Sequence, residues 1–289
     1  MKTICFLGDS ITRRGYWLAE VFEYLRKKGT VLWNCGVSGD NATNCLHRVY
    51  TDCLQRTPDT VVVMFGINDV LRTPEGVGEK QEARLAKYKE SMYTLTDMLD
   101  RAGVKVILCT ATPLLDTGDG RDNDGLARAA EIVRTLADER GYPCVDFFSY
   151  LLPMAGKEYA MLPDNVHPQP ESHHYMAQFF MKELGWIEKM DVETPFLPMN
   201  EEAQARFDID QKIRELYFIA WNQMFTYRSD PTKTHADIRA LAEERLAAAK
   251  EAGEETKIRW YTYYLENIEK LSTYEAELVK RTLEMVDRT

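Results

Sequence analysis

The hydrophobic pattern of the chain alternates between two periods. Short apolar runs rich in β-branched residues occur at 3–7, 31–35, 60–65, 104–109 and 144–147. Each is short enough for a strand, and Thr60-Val61-Val62-Val63-Met64-Phe65 is apolar enough for a strand buried on both faces. Between them lie stretches with helical spacing. Residues 17–28 carry Leu18, Val21, Phe22 and Leu25 before Gly29 stops the run, and 82–101 carry Leu85, Tyr88, Met92, Leu95 and Leu99. Further helices are predicted at 41–54, 124–140 and 172–184. Strands alternating with helices predict a parallel, doubly wound α/β sheet with helices on both faces. Right-handed crossovers then gather the strand carboxyl ends on one edge, with the polar, glycine-containing segments 8–10, 36–41, 66–69 and 110–113.

The pattern changes near Thr194. Pro195, Pro198 and Asn200 form a breaker-rich hinge, and no strand signal follows. Amphipathic helices are predicted at 207–225, 235–252 and 257–287. The expected organisation is a catalytic α/β domain over 1–194 and an all-α extension over 195–289, read as a lid or an oligomerisation element. The aromatic residues Trp260, Tyr261, Tyr263 and Tyr264, with Tyr217 and Trp221, fit helix core better than a sugar-stacking surface.

Composition narrows the partners. Among 289 residues, 36 are Lys or Arg and 46 Asp or Glu, a net charge of -10. That balance argues against nucleic acid and anionic membrane. No apolar run is long enough to span a bilayer. The six cysteines (5, 35, 45, 53, 109 and 144) form no CxxC pair, and most lie in apolar runs as small hydrophobes, so a reducing, cytoplasmic location is expected. No signal peptide is evident, since Lys2-Thr3 leads at once into a strand.

Ser10 stands just past the first strand, where α/β sheets bind ligands. As a nucleophile it would need a base, a group orienting that base, and oxyanion donors. His167 and Asp164, three residues apart in Asp164-Asn165-Val166-His167, supply the first two within one turn. The backbone N–H groups of Ser10 and Gly39 and the amide of Asn68 are candidate donors. His173 and His174 lack an Asp three residues earlier and are expected at the surface or the substrate rim. His47 and His235 are expected to be solvated. Arg13 and Arg14, directly after the serine turn, suit surface charges or carboxylate partners better than a substrate anion site. Residues 116–125 resemble a calcium loop at first sight but lack its closing Glu, and are expected to cap the next helix.

The four segments Gly8-Asp9-Ser10, Gly36-Val37-Ser38-Gly39, Gly66-Ile67-Asn68-Asp69 and Asp164-Asn165-Val166-His167 together resemble the SGNH (GDSL-type) hydrolase family over residues 1–184. The resemblance implies a flavodoxin-like three-layer α/β/α sandwich with a five-stranded parallel sheet. It implies Ser10 as nucleophile, Gly39 and Asn68 as oxyanion partners, and Asp164 and His167 as the rest of a triad. It also implies hydrolysis of esters or thioesters without a metal or organic cofactor. A small-acyl, acetyl-type esterase acting on a carbohydrate or small metabolite is the expected function, with a lysophospholipase or thioesterase as alternatives. A different class of function is a non-catalytic flavodoxin-like binding module that forms homo-oligomers through its C-terminal helices.

Overall fold

The computed structural model describes residues 2–70, 79–118, 121–194 and 235–254, together with 258, 261, 262 and 265. Five strands form one parallel sheet: β1 (Thr3–Gly8), β2 (Val31–Gly36), β3 (Thr60–Met64), β4 (Lys105–Cys109) and β5 (Cys144–Val145). Their spatial order is β2-β1-β3-β4-β5. β1 pairs with β2 from Thr3↔Val31 to Gly8↔Gly36, and with β3 from Ile4↔Thr60 to Gly8↔Met64. The chain therefore leaves β1 toward one edge and returns to its other side as β3. That reversal opens a crevice at the carboxyl end of β1, where this strand order binds ligands.

The helices of this part are α1 (Ser10–Arg14), α2 (Tyr16–Arg26), α3 (Ala42–Cys45), α4 (Val49–Asp52), α5 (Glu79–Arg101), α6 (Asn123–Arg140), α7 (Phe147–Leu151) and α8 (Pro170–Glu183). Right-handed crossovers put α2 on one face and α5 and α6 on the other. The α2 face is aromatic. Trp17 meets Phe6, Phe147 and Phe180 at centroid distances of 5.4, 5.7 and 5.4 Å, all edge-on. Such pairs add to the area they bury. On the opposite face Leu85, Tyr88, Met92, Leu95 and Leu99 of α5 are all buried, as their spacing requires.

The expected strands and the three-layer architecture are present, with ends shifted by one or two residues. The single helix expected over 41–54 is instead α3, α4 and a 3-10 turn at Leu54–Arg56. The break between α3 and α4 turns Arg48 inward. Neither α1 nor α7 was anticipated from periodicity, because five residues make too little of a stripe. The expected rim position of His173 and His174 is wrong: both are buried. His174 Nδ1 pairs with Glu20 Oε2 at 2.8 Å and its Nε2 meets Asp191 O at 2.7 Å, which joins α8 to α2. Burial opposes its charge, but the bond and charge of Glu20 outweigh it and hold the imidazole above its ordinary pKa. His47 is exposed as expected. Residues 116–125 do cap a helix: Asp122 Oδ1 accepts from Gly125 N at 2.7 Å, at the start of α6.

Two compact units divide the chain, and the sheet with its helices belongs to the first. In the second, a helix runs His235–Glu251, close to its expected span, with Ala242 and Ala249 buried. Tyr261 is buried, in line with a core role. The helix expected at 207–225, with Tyr217 and Trp221, and most of that at 257–287, including Trp260, Tyr263 and Tyr264, lie outside the described residues. Among the described residues no helix is long and apolar enough to cross a membrane. All six cysteines are free thiols.

Phe180 is fully buried against Phe6, Trp17, Phe147 and Trp186. Phe180→Ala should cost about 3–5 kcal/mol, measured as a lower urea midpoint. A loss under about 1 kcal/mol would mean that the aromatic layer is not the core of this face.

Candidate active site

Ser10 is the first residue of α1, and the turn that carries it is built by short-range bonds. Asp9 is the helix cap, its Oδ1 accepting from Ile11 N at 2.9 Å, and Arg13 N bonds back to Asp9 O at 2.9 Å. Gly15 ends the helix at φ 76°, in the left-handed region that favours glycine. Two glycines allow α1 to lie directly on the strand ends. A Cβ on Gly8 would stand 2.1 Å from Thr12 Oγ1, and one on Gly36 2.3 Å from Arg13 N. Gly8 and Gly36, the leading glycines of the first two motifs, are therefore packing requirements.

His167 arrives from 157 residues further along the chain. Its Nε2 lies 2.6 Å from Ser10 Oγ, and its Nδ1 lies 2.6 Å from Asp164 Oδ2. The other carboxylate oxygen, Oδ1, accepts from Val166 N at 3.0 Å and His167 N at 2.9 Å. Partial burial alone would raise the Asp164 pKa. The N–H and ring of His167 and the N–H of Val166 outweigh that and hold it at about 2. It is an anion at every working pH, facing the ring nitrogen that would carry the proton. The turn is pinned by Asn165, which has φ 58°, donates its side chain to Asp116 O at 2.5 Å, and accepts Leu115 N at 2.9 Å. This anchoring role was not anticipated, although Asn is among the few side chains that tolerate a left-handed backbone.

The turns carrying Gly39 and Asn68 follow β2 and β3, the strands flanking β1. Gly39 is exposed at φ 78°. Asn68 is buried, and its Nδ2 donates to Asp40 O at 2.9 Å, tying the two turns together. All five candidate residues thus lie on the carboxyl edge of the sheet. Arg13 and Arg14 are exposed there as surface charges. His173 sits behind the site with its ring 5.4 Å from Tyr16. Neither of its ring nitrogens has a hydrogen-bond partner, and burial, reinforced by the charges of Arg14 and His167, pushes its pKa down to about 3.

Beneath these turns lies a charge cluster that the sequence did not reveal. The guanidinium of Arg48 donates from Nη2 to Gly8 O at 3.1 Å, from Nη1 to Cys35 O at 2.8 Å, and from Nε to Asp40 Oδ2 at 2.7 Å. It also pairs with Asp52 at 3.2 Å. Asp9 and Asp69 are buried close by. Asp69 Oδ1 accepts from Ala42 N at 3.0 Å, while its Oδ2 has no partner. Burial pushes both carboxyls up to about 7; their backbone N–H bonds work against this, and neighbouring acids add to it. Among the described residues no cluster of His, Cys, Asp or Glu could hold a metal ion.

The model of the GDSL-like Lipase/Acylhydrolase family matches residues 6–175. The chain belongs to this family. It is an ester hydrolase. An acetylxylan esterase of Geobacillus stearothermophilus is 25% identical over 64% of this chain and 96% of its own. An arylesterase of Vibrio mimicus is 27% identical over 63% of this chain and 88% of its own. The crystal structure of a lipase/acylhydrolase from Enterococcus faecalis superposes with a TM-score of 0.54, covering 67% of this chain and all of that one, at 19% identity. That likeness bears on the fold, and it accords with the five-stranded parallel sheet.

Two outcomes follow from the charge cluster. Arg48→Met leaves Asp40 buried without its cation, and should cost about 3–5 kcal/mol in chemical denaturation. Wild-type stability would contradict that. Asp69, with a folded pKa of about 7 against an ordinary 3.8, favours folding fully only below the lower value, and that contribution is lost as pH rises toward 7. Asp69→Asn should therefore flatten the fall of the urea midpoint between roughly pH 4 and pH 7, leaving the part due to Asp9. Parallel profiles for variant and wild type would refute the buried-acid account.

Proposed function

We propose that the enzyme is a small-acyl serine esterase in which Ser10, His167 and Asp164 act as a catalytic triad. The observation that carries this reading is the unbroken run of two 2.6 Å contacts from Asp164 through His167 to Ser10 Oγ. Ser10 Oγ attacks the ester carbonyl while His167 Nε2 takes its proton. The Asp164 carboxylate holds the Nδ1 proton in place and stabilises the imidazolium. The tetrahedral oxyanion takes hydrogen bonds from the backbone N–H of Ser10, the backbone N–H of Gly39 and the amide of Asn68, which carries two hydrogens. The alcohol leaves with the proton from His167. Water, deprotonated by the same ring, then attacks the acyl-serine, and the acid departs as the serine regains its hydrogen. No metal or organic cofactor has a part in this sequence.

The acyl group we assign is acetyl, on a carbohydrate or another small alcohol. A relative named an acetylxylan esterase supports that choice. The helical segment after residue 194 is read as a separate domain that covers the site or joins copies of the chain. A reducing cytoplasm suits the free, mostly buried thiols.

Hydrolysis of p-nitrophenyl esters from acetyl to long acyl, by wild type and Ser10→Ala, tests the proposal. Acetyl should be the best substrate. Ser10→Ala should lower its turnover by about 10³-fold or more, and Asn68→Ala by about 10²–10³-fold. Equal rates for Ser10→Ala would end the serine mechanism. A preference for long acyl chains would replace the acetyl assignment with a lysophospholipase-like one.

A further inference from the structure

An opening lies at the edge of the sheet opposite Ser10. It is a cavity of about 510 Å³ at the amino ends of the strands, bounded by Lys2 before β1, Thr60 at the start of β3 and Lys105 at the start of β4. The six residues of β1, at ~3.3 Å each, put it about 20 Å from the serine turn. Its volume lies within the range of small-molecule sites. Ile4, Leu25, Val106 and Ile107 supply apolar surface, so a bare inorganic ion would leave most of the space unmatched.

One wall is set in advance. The rings of Tyr24 and Trp186 lie parallel, 5° apart, with centroids 5.6 Å from each other, and Tyr24 donates to Trp186 O at 2.6 Å. Tyr142, also at the cavity, donates its hydroxyl to Asp100 at 2.6 Å. A flat apolar body would meet rings that need little reordering, which limits the entropy lost on binding.

The mouth is cationic in a chain of net charge -10. Lys2, Lys28 and Lys105 are all exposed and all line the cavity. Ile4, Thr60 and Lys105 stand level across the sheet, so their side chains share one face. Lys28 lies over the Tyr24 ring at 4.5 Å. Among the described residues, none of the three lysines is paired with a carboxylate. Asp100 is held by Tyr142 and Arg140, and Asp59, next to Thr60, accepts from Thr3 N at 2.7 Å and keeps its charge. Three ammonium groups around one opening repel one another, and a bound anion removes that repulsion while gaining charge-assisted hydrogen bonds.

We propose that this cavity is a second ligand site, taking a small organic anion whose flat apolar body lies against the Tyr24–Trp186 wall and whose carboxylate or sulfonate sits among Lys2, Lys28 and Lys105. Nothing in the argument depends on the serine chemistry, so either reading can fail alone. The test is calorimetric titration of the full chain with 2-naphthoate and, as an uncharged counterpart, 2-naphthamide. Naphthoate should bind once per chain and weaken as salt is raised. In Lys28→Gln/Lys105→Gln its affinity should fall about tenfold or more, the worth of one lost charge-assisted bond. Naphthamide should bind at least about tenfold more weakly than naphthoate to wild type, and no differently to the double variant. Both lysines are exposed, so the variant should keep the wild-type melting temperature and its hydrolysis of p-nitrophenyl acetate. The proposal is overturned if naphthoate shows no saturable binding, if the double variant binds it as tightly as wild type, or if naphthamide binds equally well. It is also overturned if binding is lost in Arg13→Gln/Arg14→Gln instead, which would put the anion at the serine edge.

Discussion

The Arg48 guanidinium is the contact on which the serine edge of the sheet depends. It bonds the carbonyl of Gly8, at the end of β1, and that of Cys35, near the end of β2. It also holds Asp40, whose own carbonyl receives the Asn68 amide. One side chain thus fixes the spacing of the three turns that carry Ser10, Gly39 and Asn68. Burying a guanidinium is expensive unless its donors are satisfied, and here carbonyls and carboxylates satisfy them at once. The expense has a structural return. Loop turns drift easily, and an oxyanion site tolerates little drift, because its donors act only when aimed at one point.

The same neighbourhood is overloaded with acid. Arg48 answers Asp40, but Asp9 and Asp69 are buried beside it and accept from backbone N–H groups. Burial raises both pKa values to about 7, so their neutral forms are favoured below that pH. Asp9 cannot simply be traded for an apolar residue, because its side chain caps α1 and so shapes the serine turn. Asp69 likewise holds Ala42 at the start of α3. Local backbone bonding and electrostatic comfort pull in opposite directions here. Strain of this kind is characteristic of functional sites, where geometry is held at the expense of stability.

What could be read from the sequence divides along the range of the interaction. The strands declared themselves because apolar β-branched runs are local, and α5 because its stripe repeats over many turns. Ser10 stood out at an expected strand end, and His167 and Asp164 as a base and its partner within one turn; the fold brings these three together. The segment 41–54 misled because its composition allows one continuous helix where the chain forms two short ones. Only the pull of Arg48 toward carbonyls 13 and 40 residues away explains the break. His174 looked like a surface residue because its partner Glu20 lies 154 residues distant. A hint was available: Glu20 falls among Trp17, Leu18, Val21 and Phe22 on a helix that buries them all, and an acid there needs a partner. Asn165 could have been suspected from its type, but its anchoring partner Asp116 could not.

These ranges also bear on which features can vary without loss of the chemistry. The contacts that aim Ser10 and His167 are made largely to backbone groups: Asp9 to Ile11, Asp164 to Val166 and His167, Arg48 to Gly8 and Cys35. Backbone partners persist under almost any substitution of the residue that carries them. The surroundings can therefore change side chains freely while the turns stay in place. Acyl and alcohol preference must then reside in residues that face the substrate and take no part in this bonding. An arrangement of this kind separates the aim of the reacting groups from the choice of ester, so a change of substrate need not disturb the turns that hold Ser10 and His167.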